Sequence, residues 1–154
     1  MTREEAYYER IRLLCGDWDS YDGWLSCFLE HEEPLSDIVL TLVDCRDDMK
    51  EAEHALNLYC QEKPFDQERV YERLRLELLS QYETCAITKD HLLATMSQYS
   101  RKIPDCSFSY GCGALSEYYE LAEMGIVSME KLDVILIQFL RDGGNVDLDS
   151  VWNS

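Results

Sequence analysis

Apolar residues in this chain return every three or four positions, and several of these runs open on a side chain able to cap a helix. Thr2 with Glu5 has the form of a capping box, and Tyr8, Ile11 and Leu14 follow at helical spacing. Thr88 stands before KDHLLATMSQYS, and Ser128 before MEKLDVILIQFLRDGG. Seven glycines and three prolines in 154 residues are too few turn-formers for a many-stranded sandwich or barrel. The pattern predicts an all-α protein.

Gly16 ends the first predicted helix. A second, from about Asp22 to Glu30, places Trp24, Leu25, Phe28 and Leu29 inward, with Ser20 or Asp22 as its cap. The run IVLTLV (38–43) has the composition of a buried strand. Pro34 before it and the helix-favouring DDMKEAEHALNLYC after it favour a helix, broken near Asp44–Asp47. Phe65, Asp66 and Val70 form a hydrophobic staple that opens VYERLRLELLSQY, with Val70, Leu74 and Leu78 inward and Tyr71 and Leu79 near the edge. IPDCSFSYGCG (103–113) reads as the longest irregular segment, and ALSEYYELAEMG after it as a helix ending at Gly125. The tail NVDLDSVWNS reads as a docked extension. These elements amount to six to seven helices in a compact bundle or stacked hairpins, within a single domain spanning 1–154. ITKDHLL (87–93) and IVSMEKL (126–132) share a cap and following apolar residues, a short likeness of the kind a repeated hairpin leaves.

The net charge of −17 makes direct binding to nucleic acid or to an anionic membrane unfavourable, and points to basic protein partners. The charge is unevenly placed. Residues 16–53 hold twelve acids against Arg46 and Lys50, a net of −10, whereas 63–102 carry a net of +1 and 103–154 a net of −7. Concentrated like charge destabilises a fold through self-repulsion, so solubility alone is better served by an even spread. A local acidic field, by contrast, accelerates the approach of a basic partner. MTREEAYYER puts charges where the apolar core of a signal peptide would lie, which predicts a cytoplasmic protein with its seven cysteines reduced. Most of those cysteines stand beside apolar helical positions, as small buried hydrophobes do.

DWDSYDGW (17–24) invites a calcium reading that its spacing does not support. Counting from Asp17, Tyr21 falls where a third acid is needed, Gly23 comes one place late, and Phe28 replaces the closing glutamate. No CxxC or HxxxH pair marks a zinc site, and no cofactor or metal is expected. Cys112, flanked by glycines in SYGCG, is the best-placed nucleophile, with a flexible turn as the simpler reading; no catalytic residue is assigned. Glu32–Glu33 and Asp47–Asp48 are adjacent on the chain and so diverge on a helix. They read as surface.

The remaining reading is an interface, since partner contacts favour tryptophan, tyrosine and arginine at the centre with acids at the rim. The candidate partner-binding set is Asp17, Trp18, Asp19, Tyr21, Asp22, Glu30, Glu32, Glu33, Asp44, Asp47 and Asp48, with Trp24 more a core residue than a contact. In its size, helical pattern and the acidic set from Asp17 to Glu53 with Trp18 and Tyr21, the chain resembles bacterial immunity proteins that neutralise basic nuclease toxins. That resemblance implies a non-enzymatic inhibitor occluding a toxin's nuclease site. An antitoxin, a nucleic-acid mimic or a phage inhibitor would carry the same signature, and the alternative is a structural or adaptor domain of a larger assembly.

Overall fold

The computed structural model describes residues 1–153, and among them eight α-helices and no β-strand. They are α1 (Arg3–Leu14), α2 (Tyr21–His31), α3 (Asp37–Asp44), α4 (Met49–Gln61), α5 (Gln67–Glu83), α6 (Lys89–Lys102), α7 (Ser107–Glu123) and α8 (Met129–Asp142). The all-α expectation holds, with one helix more than six to seven; the expected break is present and divides α3 from α4. Packing separates the chain into two compact units, Met1–Val70 and Tyr71–Ser154, the boundary falling within α5.

In the first unit the capping box at Thr2 and Glu5 opens α1, and Gly16, at φ +83°, closes it. Only a residue without a Cβ takes that left-handed geometry cheaply. Asp48 opens α4 by accepting from the backbone N–H groups of Lys50 and Glu51. The α4 stripe Ala52, Leu56 and Cys60 is buried, and α4 packs on α1 and α3, with α2 on α3. Arg10 of α1 donates to Glu53 of α4 at 2.8 Å.

The second unit closes on aromatic rings. Phe108 of α7 lies 5.8 Å from Tyr71 of α5, 5.9 Å from Tyr99 of α6 and 6.2 Å from Phe139 of α8, so all four helices contribute to one cluster. Tyr71 is therefore core and not an edge residue. IPDCSFSYGCG also departs from expectation: α7 begins at Ser107, with Cys106 as its cap and Ser109 completing a reciprocal box. The glycines that read as a turn serve close packing instead. A Cβ at Gly111 would lie 2.4 Å from Cε2 of Phe139, and one at Gly113 would lie 3.2 Å from Cβ of Ser100.

The likeness between 87–93 and 126–132 belongs to a larger correspondence. Each boundary of α7 and α8 lies forty residues beyond that of α5 and α6. Buried Leu92, Met96 and Tyr99 correspond to Leu132, Leu136 and Phe139 at the same offset. The turns agree as well: Ala86 N–H donates to Gln81 O at 2.8 Å, and Ile126 N–H to Leu121 O at 3.0 Å. The tail docks as expected, with Leu148 and Val151 buried and Ser128 N–H donating to Val151 O.

Candidate functional site

The acids of 16–53 fall on α2, α3, α4 and their connecting turns, all in the first unit. Five of them are held internally. Arg12 donates to Asp17 through Nη2 at 2.6 Å, Arg46 donates to Asp22 at 3.2 Å, and Arg10 binds Glu53. Asp48 caps α4. Glu32 pairs with the Met1 ammonium and accepts from Ser36 N–H; the ammonium first, then Ser36, hold its carboxyl at about 2. The other seven, Asp19, Glu30, Glu33, Asp37, Asp44, Asp47 and Glu51, are exposed, and among the described residues their carboxylates have no internal partner.

DWDSYDGW divides between surface and core. Trp18 is 54% exposed, its ring steadied by Nε1–H donating to Leu13 O at 3.1 Å. Tyr21 is 1% exposed and cannot meet a partner in the folded state, which removes it from the contact set. Its ring stacks 5.8 Å from Trp24, which in turn meets Phe28 edge-on, so Trp24, itself half-buried, packs against the core residue Tyr21 without being enclosed. Burial, followed by Cys45, Glu9 and Asp22, pushes the Tyr21 hydroxyl up. Ser20 is the α2 N-cap by position, but its hydroxyl donates to Asp17 and accepts from Arg12 instead of capping the backbone. Arg12 also lies 3.8 Å from the fully buried Glu9. Burial works to lower the Arg12 pKa; the hydrogen bond to Asp17 and the neighbouring acids outweigh it, and the net shift is upward.

Arg12 thus ties the α1–α2 turn back to α1, and Arg46 brings the start of α2 and the α3–α4 turn together. Arg46, from that turn, reaches both Asp22 and Ser26 of α2. Glu30, in the last turn of α2, and Glu32 and Glu33, just past it, lie at the far end of that helix, about 15 Å along its axis. The acidic set is thus two groups and not one cluster.

Sequence reasoning missed a groove between α3 and α4, about 790 Å³ in volume. α3 contributes Ile38 and Thr41, with Cys45 just beyond its end; α4 contributes Glu51, His54, Ala55, Leu58 and Tyr59. These α4 positions form a second stripe at helical spacing, on a different face from Ala52, Leu56 and Cys60. Leu58 is 50% exposed within it. Burial first, then the charges of Glu51, Asp44 and Asp48, raise the Cys45 thiol, so the turn beside the groove sits in a negative field.

Cys112 is 0% exposed, and burial pushes its thiol up, which leaves it neither accessible nor ionised at neutral pH. Among the described residues no three His, Cys, Asp or Glu side chains converge as metal ligands, and no helix is long and apolar enough to cross a membrane. No protein-family model, curated protein or solved structure matches the chain.

Proposed function

We propose that the first unit binds a basic protein through its acidic face and occludes that protein's nucleic-acid site, acting in the cytoplasm as an immunity protein or antitoxin does, without chemistry of its own. The observation that carries this reading is the seven exposed carboxylates without internal partners among the described residues. The bases within 16–53 are Arg46, engaged by Asp22 and Ser26, and Lys50. Charges that stabilise nothing inside the fold are available for a partner, and they raise its association rate by about ten- to a thousand-fold at low salt. Trp18, next to Asp19 in sequence, supplies an exposed aromatic as a candidate anchor.

Reversal of Asp19, Asp44 and Asp47 to lysine tests this. Asp44 ends α3, where an acid opposes the helix dipole, so the change there does not threaten the fold. The expected outcome is association with the basic partner slowed tenfold or more at low salt, a flatter salt dependence, and an unchanged helical spectrum. The partner is to be sought first among basic products of adjacent reading frames. If the wild-type protein at equimolar ratio inhibits none of them, the reading fails.

One observation favours the adaptor reading: Met124, Ile126 and Trp152 stand exposed near the α7–α8 turn. An Ile126→Asp variant that lost a stable, non-basic partner would support it.

A further inference from the structure

We infer that the α3–α4 groove is the anchoring site of this interface and that its occupant is a basic amphipathic helix of the partner protein. The inference rests on the acidic-docking reading and specifies what the surface would hold. Its first support is the two-faced character of α4. One stripe, Ala52, Leu56 and Cys60, is consumed by packing inside the unit. A surface helix ordinarily turns its opposite face to water with charged residues. Here that second face carries Ala55, Leu58 and Tyr59 between charged ends at Glu51 and Glu62, and it lines a groove instead of a flat surface.

The shape suits a helix. Two packed helices leave a channel between their ridges into which a third fits by the same ridge-and-groove rule, with anchors at i, i+3, i+4 and i+7. A volume of about 790 Å³ lies in the range that takes several side chains at once.

The charge says which kind of helix. Asp37 on the α3 wall and Glu51 on the α4 wall are exposed and, among the described residues, without internal partners, and Asp44 and Asp47 flank the lining residue Cys45 in sequence. Glu62, at the other end, is an exposed carboxylate paired with Arg3 at 2.9 Å. Lys50 is the base among the groove's lining residues, with His54 beside it. Aliphatic side chains would enter over Ile38, Ala55 and Leu58. Lysines or arginines flanking them would meet Asp37 and Glu51. Tyr59 cannot swing aside to widen the floor, since its hydroxyl donates to Met1 O at 2.6 Å and the Arg3 guanidinium lies over its ring.

The probe is a synthetic amphipathic peptide of leucine and lysine, about eighteen residues long so that it can form a helix. Binding to the full chain is followed by anisotropy, and its position by amide chemical shifts. Shifts are expected at Ile38, Thr41, Ala55 and Leu58, with affinity reduced at least tenfold by Leu58→Arg and, separately, by Thr41→Arg. Both positions are exposed, so neither change empties the core. A peptide with serine in place of leucine, equal in charge, is expected to lose affinity by the same factor. If Leu58→Arg and Thr41→Arg leave affinity unchanged while binding stays salt-dependent, the groove is not the anchor, yet the acidic-docking reading survives. Absence of any binding at low salt overturns both. Loss of binding in the groove variants, with no salt dependence and no effect of reversing Asp19, Asp44 and Asp47, overturns the charge argument and leaves a purely apolar groove. The same response to an uncharged apolar small molecule, with none to the peptide, overturns the choice of a helix as occupant.

Discussion

The two units share a fold class and divide their chemistry. The first holds eighteen acids against seven bases, a net of −11; the second holds thirteen against seven, a net of −6. The second closes on a four-ring aromatic cluster. The first buries a carboxylate, Glu9, and leaves a groove beside α4. Both units leave large apolar side chains exposed, Trp18, Leu40 and Leu58 in the first and Met124, Ile126 and Val134 among those of the second. The candidate site falls in the unit with the larger net negative charge.

The largest expected effect breaks the second unit. Phe108→Ala removes the ring shared by Tyr71, Tyr99 and Phe139 and should cost about 3–5 kcal/mol, read from urea unfolding. A much smaller loss would mean that the cluster is not the centre of that unit.

A single kind of change should then have opposite signs in the two units. Gly111→Ala drives a Cβ into Phe139, itself packed by Phe108, and should destabilise by about 1–3 kcal/mol, offset in part by the roughly 1 kcal/mol that alanine gains in a helix. Gly23→Ala in α2 meets nothing within 4 Å and should stabilise by about 0.4–1 kcal/mol. Thermal midpoints moving in the same direction would contradict the packing argument at one of the two sites.

The smallest effect shows only at alkaline pH. Burial lifts the Cys60 thiol to about 11 against the pull of Arg10 and Arg3. A neutral thiol is favoured by the fold, so its contribution is fully present below pH 9 and is lost as pH rises through about 11. The urea midpoint should fall over that window, and Cys60→Ala should flatten the fall. Thiol-reactive reagent at pH 9 should meanwhile label the exposed Cys27 and Cys85 well ahead of Cys60 and Cys112.

Much of this architecture was readable from local chemistry. Thr2, Thr88 and Ser128 announced their helices because a hydroxyl cap and the spacing behind it are properties of a few neighbouring residues. The start of α7 was not readable. Its cap is Cys106, outside the usual capping residues, and Gly111 and Gly113 look like a turn until Phe139 and Ser100 are placed against them. The acidic segment was legible as a net charge. Which acids were engaged was not, because the link from Arg46 to Asp22 crosses twenty-four positions and exists only after folding. Tyr21 was within reach: it stands four residues before Leu25, and that spacing puts both on the buried face of α2. The groove stripe of α4 was also present in the sequence, hidden behind the stronger apolar stripe beside it.

The order in which helices meet carries a consequence in time. In the second unit α6 packs on α7 and α7 on α8, neighbours separated by short turns. In the first, α1 packs on α4, and the chain from Leu14 to Met49 must be closed before that contact exists. By loop entropy this closure costs about 2 kcal/mol more than the one from Lys102 to Ser107. Local closures form faster. The unit that emerges first in synthesis is therefore the slower to complete, and its acidic strands of chain stay in water while the later hairpins are already able to pair.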